Sequence, residues 1–414
     1  MASGDVEVAV IGGGAAGIGA ARRLREAGVS ALIVEGRLRL GGRAWTVEAG
    51  GFPVDLGCGW LHSAERNPWT KIAAAQGLTI DRTPPWTRAA PQPGMTAADA
   101  KEMRDALWAL HERADGLPEG EPDRALADLL EPGGRWNAVL DAISGYYSGA
   151  ALARVSARDL GRYAEDGVNW RVVEGYGATI VEHGAGLDVV FDSVVTRIDH
   201  GGQRIRVATT RGTVEADAAI VTLPSALIAA DENLFAPALP DKTRAAAGLP
   251  LGHDDKLFLS LADGEDFAPE ARAFGDPRRV ATAGYQFRPF GRPMIECYFG
   301  GELAADLERG GAPAFFDFAR SELVGLYGGD FARRIAPLAL HGWSADPFAR
   351  GAYSYALPGH ADDRAALAAP IDGRLFFAGE ACSREDFSTA HGAYLTGVAA
   401  AEQAIDALRA AAVR

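Results

Sequence analysis

Six residues near the N-terminus, Gly12-Gly13-Gly14-Ala15-Ala16-Gly17, constrain this chain more than any other feature. They follow the short apolar run 6–11, which reads as a buried parallel strand. They open residues 15–27, which read as a helix stopped by Gly28. Residues 31–34 form a second apolar run that ends at Glu35, 18 residues after Gly17. This is the strand–helix–strand context that a GxGxxG fingerprint needs. Gly12 permits the tight turn, Gly14 lets the backbone approach a pyrophosphate, and Gly17 allows close helix–strand packing. The helix N-terminus offers unpaired N–H groups to phosphates, and Glu35 is placed to accept from ribose hydroxyls. The alternative is a glycine-rich turn with no ligand. The motif alone does not separate NAD from FAD.

Length and charge bound the rest. A chain of 414 residues exposes roughly 15,000 Å² when folded against about 63,000 Å² unfolded. That is more than one ordinary core carries, so two domains are expected. The 55 acidic and 41 basic residues leave a net charge of −14, which disfavours nucleic-acid binding. Cys58, Cys297 and Cys382 lie far apart without zinc spacing, so no metal site is expected. An odd cysteine count with no signal peptide fits a reducing cytoplasm. The best apolar run, 218–230, is interrupted by Pro224, so no membrane span is expected. Only Lys71, Lys101, Lys242 and Lys256 are lysines, which makes each worth inspecting.

Along the chain, helices are expected at 68–76, 97–114, 123–130, 136–144, 314–327 and 389–411. Strands are expected at 188–191, 194–198, 204–210, 218–223, 255–262, 293–299 and 375–378. The prolines and glycine between 84 and 100 suggest a loop or domain crossing. No internal repeat is visible.

Two more segments extend the fingerprint. Gly41-Gly42-Arg43 supplies a second phosphate-approach loop with Arg43 as counter-charge; a plain hairpin turn is the alternative. Phe376-Phe377-Ala378-Gly379-Glu380 repeats the strand–glycine–acid pattern ahead of Ser388-Thr389-Ala390-His391-Gly392-Ala393-Tyr394, which starts a helix. Together with Val54-Asp55-Leu56-Gly57-Cys58-Gly59-Trp60-Leu61-His62, Val173-Glu174-Gly175-Tyr176-Gly177, Val195-Thr196-Arg197-Ile198, Ala219-Ile220-Val221-Thr222-Leu223-Pro224 and Trp343-Ser344-Ala345-Asp346-Pro347, these segments resemble the flavin-containing amine oxidases. That family includes monoamine oxidases, polyamine oxidases and flavin-dependent histone lysine demethylases. The resemblance covers nearly the whole chain and is weakest at 84–150 and 263–290.

The resemblance implies an α/β fold: a Rossmann-like (GR2-type) FAD-binding domain with an inserted α+β substrate-binding domain. The first would take residues 1–77, 186–250 and 341–414, the second 78–185 and 251–340. It implies FAD contacts at Gly12, Gly14, Ala15, Ala16, Gly17, Glu35, Arg37, Gly42, Arg43, Gly59, Trp60, Val195, Glu380, Thr389 and Ala390. A helix N-terminus near residue 389 could stabilise negative charge at the reduced flavin.

Lys256 stands in the apolar run Asp255-Lys256-Leu257-Phe258-Leu259-Ser260-Leu261. Alone, that reads as an exposed edge-strand lysine. The resemblance makes it the lysine held through a water to flavin N5, with a pKa expected to fall on burial. His62 matches a substrate-tunnel histidine of polyamine oxidases, with a locally bonded histidine as the alternative. Tyr353 matches one wall of an aromatic cage. The opposite wall is Thr389 here, a departure from the monoamine oxidase pattern. Trp343 is expected near the isoalloxazine. Ala352 stands where monoamine oxidases carry the cysteine that binds flavin covalently, so FAD is expected to be non-covalent.

The implied reaction oxidises an amine C–N bond to an imine, which water hydrolyses to an aldehyde and an amine, while O2 becomes H2O2. The substrate would be a polyamine or a primary or secondary amine. Alternatives are a desaturase of the same fold, an L-amino-acid oxidase using Arg82 or Arg88 for the carboxylate, and a low-turnover flavin-binding protein.

Overall fold

The computed structural model describes residues 5–84, 94–118 and 120–412. The N-terminal strand Asp5–Ile11 runs parallel to Ala31–Val34 on one side and to Gly212–Val221 on the other, with Val10 opposite Ile33 and Ile220. Both faces of this strand are apolar, as a central parallel strand requires. Val8 and Val10 face a cluster with Ala20, Leu24, Ala401 and Ile405. Ala9 and Ile11 face another with Ile228, Phe235 and Phe377. The eight-stranded sheet is completed by Val189–Val190, Val195–Asp199, Ile205–Thr209, Phe235–Ala236 and Leu375–Phe377. Gly212–Val221 is antiparallel to Ile205–Thr209 along its first half and parallel to Leu375–Phe377 along its second.

The helices Ala15–Glu26 and Ala390–Ala412 pack on the Val8 face. They approach closely because the contact positions are glycine. A Cβ at Gly397 would lie 2.0 Å from the Ala16 carbonyl oxygen.

A second, five-stranded antiparallel sheet runs in the order Ala271–Phe274, Gly284–Phe287, Met294–Gly300, Asp254–Leu261 and Ile335–Leu340. Period-2 alternation divides its faces. Leu257, Leu259, Ile295, Cys297 and Phe299 pack with Phe315, Ala319 and Leu323 of the helix Gly301–Tyr327. Lys256, Glu296 and Tyr298 therefore project from the opposite face. The fold is thus a Rossmann-like α/β unit joined to an α+β unit.

Several expectations need correction. The helix expected at 123–130 is only a 3-10 turn, Leu126–Leu129. Asp123 there accepts from Ser156, Arg158 and Gly359, so tertiary hydrogen bonds replace the helical ones. The helix expected at 314–327 begins at Gly301 and is interrupted at Gly311, two residues before Pro313; the proline removes a donor and hides the continuity. The strand expected at 218–223 is the end of the longer Gly212–Val221. Part of the loop expected at 84–100 lies outside the described residues, and the helix Ala97–Asp115 begins inside its end. Among the described residues, no helix is long and apolar enough to cross a membrane.

Candidate active site

One cavity of about 1790 Å³ is lined by residues of both sheets and of the helices Ala97–Asp115 and Asn137–Ser148. It gathers all the sequence-predicted site residues except Gly17. Gly17 acts in packing instead: a Cβ there would lie 1.9 Å from the Gly12 carbonyl oxygen. Gly12 has φ +104°, and a Cβ on it would meet Thr222 Oγ1 at 2.7 Å. Gly14 differs from both. Its backbone is extended, and a Cβ would find its nearest atom at 3.9 Å, so its face opens to the cavity.

The buried Glu35 carboxylate closes this end, accepting from the Gly13 and Arg37 amides at 2.7 Å each. Arg37 anchors its guanidinium on Asp346 with two bonds of 2.8 Å. Burial raises Asp346, but hydrogen bonds from His341 and Arg37 outweigh it and hold the carboxyl well below its usual range. Gly42 sits against Gly14, with 3.3 Å between a Cβ on Gly42 and the Gly14 Cα. Ala15 and Ala16 are buried in the first turn of their helix, and Val195 lines the wall at the start of its strand.

Midway, Arg43 donates to the Ala352 carbonyl at 2.7 Å and to Glu380 Oε1 at 2.9 Å. Burial pushes the Glu380 carboxyl up, and Arg43, Ser354 and Arg364 together bring it below its ordinary value. Glu380 also accepts from Ser354 Oγ at 2.6 Å and the Ser388 amide at 3.0 Å. Thr389 uses its hydroxyl on the C-terminal helix, accepting from the Gly392 amide and donating to the Asp386 carbonyl. Its side chain is therefore a helix cap. Ala390 is the first helical residue, and its carbonyl accepts from Trp69 Nε1.

The other end is built on the five-stranded sheet. Lys256 Nζ donates to the Asp55 carbonyl at 3.1 Å and lies 3.3 Å from Glu296 Oε1. A Cβ at Gly59 would sit 3.2 Å from Nζ, so glycine there leaves the ammonium its space. The expectation of a lowered Lys256 pKa is corrected. Burial does pull it down, but Glu296, Tyr298, Asp55 and Asp254 push it higher, and the net direction is upward. Trp60 donates to Tyr298 Oη at 3.3 Å. Trp343 is locked by its indole on the Leu56 carbonyl and its amide on Asp255, both at 3.0 Å. Tyr353 donates to the Tyr146 carbonyl at 2.6 Å and keeps its ring in the cavity wall. His62 Nδ1 bonds Asn169 Oδ1 at 2.7 Å; burial and then His391 lower its pKa to about 4, so the imidazole is neutral.

Sequence reasoning missed Glu296, Asp254 and Asn169. The signal for Glu296 was an acid inside the apolar strand Met294–Gly300, on the same face as Lys256. Asp254, pushed up to about 8 by burial, is the acid two positions before Lys256. Of the two arginines suggested for an amino-acid oxidase, only Arg82 is among the described residues; Arg88 lies outside them. Arg82 stacks on Trp170 outside the cavity lining.

A nucleotide-type fingerprint turn and a buried lysine thus open on one cavity. The family described as flavin containing amine oxidoreductase matches residues 15–159 and 134–405. The chain belongs to that family. It is 30% identical to polyamine oxidase 3 of Oryza sativa subsp. japonica, over 95% of this chain and 88% of that protein. Its fold is that of putrescine oxidase bound to putrescine (TM-score 0.80, 17% identity, 97% of this chain and 99% of the other). Cyclohexylamine oxidase from Brevibacterium oxydans IH-35A is also alike in fold (TM-score 0.77, 20% identity, 98% of this chain and 100% of the other). The chain is therefore a flavin-dependent amine oxidoreductase.

Proposed function

We propose that the protein binds FAD non-covalently and oxidises a primary or secondary amine or a polyamine. The observation that carries this reading is the single cavity joining the fingerprint turn to Lys256. Its volume exceeds the roughly 300–1,000 Å³ of an ordinary small-molecule pocket, so an extended dinucleotide and a second molecule fit together. The residues present suit FAD. The open face of Gly14 admits a pyrophosphate, and Glu35 retains lone pairs for ribose hydroxyls. Arg43 brings positive charge between the two ends. The N-terminus of the helix Ala390–Ala412 offers its positive end to developing negative charge.

When bound, FAD supplies the two-electron oxidation of the C–N bond, and water and O2 complete the turnover to aldehyde, amine and H2O2. The chain's own residues bind and orient. Tyr353 and Trp343 are held rigidly by their hydrogen bonds and present aromatic surface for an amine. His62, neutral and anchored through Nδ1, leaves Nε2 for the substrate nitrogen. The Asp55 carbonyl takes one of the three Lys256 donors and Glu296 pairs with its charge, leaving a donor for water or oxygen in the cavity. The net charge of −14 draws cationic amines towards the molecule.

A peroxide assay over amines, amino acids and polyamines, paired with anaerobic flavin bleaching, tests this reading. Amines should bleach the flavin and yield peroxide in air. Absence of bleaching by every amine would exclude it.

A further inference from the structure

A polar row crosses the cavity-side face of the five-stranded sheet, from its edge strand to Lys256. Arg272 lies opposite Gln286, Gln286 opposite Glu296, and Glu296 opposite Phe258, one pleat from Lys256. Arg272 donates to Gln286 Oε1 at 2.6 Å, and Tyr298 donates to Glu296 Oε1 at 2.7 Å. Glu296 does not line the main cavity. It borders a separate small void of about 20 Å³, shared with Asp55, Gly59, Trp60 and Arg171. Its carboxylate thus meets the ammonium group from outside the main cavity lining.

We infer that Glu296 is a positioning residue that holds Lys256 as an ammonium ion with one N–H turned to the cavity, so that Lys256 meets reacting species as a cation and never as a base. Every element packed on Lys256 bears on this. Its own strand brings Asp254, the neighbouring strand brings Glu296 and Tyr298, and the 55–62 loop brings Asp55, Cys58 and His62. Arg171 and Arg272 also feel the Glu296 charge. Glu296 thus acts on three buried cations, of which Arg171 has Glu270 and Asp81 as closer partners of its own. Removal of Glu296 takes away the carboxylate 3.3 Å from the buried ammonium, the strongest of the groups that hold the proton on Lys256, which favours loss of that proton. Asp254 and Asp55, themselves driven towards neutrality by burial, replace little of that charge. The inference rests on the amine oxidation reading only for its consequence, not for its geometry.

The test is a pH titration of the flavin-bound protein labelled with 13C at lysine Cε. Four lysines give four resonances, and Lys256→Met identifies the one that matters. In the wild type this resonance should keep its ammonium shift throughout the folded range. In Glu296→Gln it should move to the neutral-amine shift within the folded range, while the other three resonances titrate as in the wild type. Glu296→Asp should restore most of the wild-type ammonium shift. The rate of flavin reoxidation should then gain a downward inflection at the new midpoint in Glu296→Gln, and lose it in the double variant with Lys256→Met. A Lys256 resonance that keeps its ammonium shift throughout the folded range in Glu296→Gln, with the flavin still bound, would overturn the inference. Failure of amines to bleach the flavin would remove the catalytic reading and leave the titration result standing.

Discussion

Arg364 and Asp159, 205 residues apart, form a fully buried bidentate ion pair with both bonds at 2.8 Å. The guanidinium also donates to Ser354 Oγ at 2.9 Å, and that hydroxyl donates to Glu380. The pair therefore ties three chain segments to the cavity wall. Arg364→Ala strands a buried carboxylate, which costs about 3–5 kcal/mol. The urea midpoint should fall sharply, and flavin should dissociate faster as Glu380 loses its support. A paired replacement by Met and Leu should cost much less, because it removes both charges together. Equal losses in the two variants would contradict this account.

Gly14 and Gly17 make opposite predictions although both belong to one motif. Gly17→Ala forces a Cβ to 1.9 Å from the Gly12 carbonyl, so the helix must shift and the fold should be destabilised. At Gly14 the backbone is extended and the space is open, so Gly14→Ala should fold normally. Its methyl would occupy the cavity where a pyrophosphate approaches. Gly14→Ala should thus keep the wild-type melting curve of the flavin-free protein and lose flavin affinity, as read by flavin fluorescence.

How much of this was legible follows from chain distance. The fingerprint, Arg43, Tyr353 and Glu380 sit in contiguous motifs whose local geometry the sequence dictates, so they could be placed without coordinates. Lys256 was visible as a charge in an apolar strand, but its electrostatics were not. Glu296 lies 40 positions away and meets it only through antiparallel register. Asn169, 107 residues from His62, and Asp159, 205 from Arg364, carry no local signal at all. Thr389 lines the cavity as expected of a site residue, and the sequence did not show that its hydroxyl also accepts from the Gly392 amide at the helix start.

His62 should imprint a specific pH dependence on stability. Its folded-state pKa of about 4 lies below the ordinary value of 6.5, so the unfolded chain takes up a proton first as pH falls. Stability should drop between pH 6.5 and pH 4 and be level in this contribution above 6.5. His183 acts in the same direction, again from burial. Urea unfolding at pH 7.5 and pH 5 should show a smaller acid loss in His62→Gln than in the wild type.

The same values assign the pH dependence of turnover. His62 is neutral and Lys256 protonated across pH 6 to 9. A rise of kcat/KM over that range belongs to the substrate amine losing its proton. Its midpoint should track the amine's own pKa across a substrate series and stay fixed in His62→Gln. A flat or falling profile would count against amine oxidation.

The proposed non-covalent attachment of the flavin can be tested at two residues. Ala352 offers the cavity a methyl group, and its carbonyl is engaged by Arg43. Cys58 is the one cysteine among the residues lining the main cavity. Burial, with Asp55 adding to it, pushes its thiol up to about 12. The thiolate is the nucleophilic form, and at neutral pH it is nearly absent. On the proposal that FAD is held non-covalently, neither residue bonds the flavin. Acid precipitation should therefore release all the yellow chromophore into the supernatant, and Cys58→Ser should release it identically. Colour retained in the washed pellet of the wild type, and lost from that of Cys58→Ser, would instead place a thioether at that position.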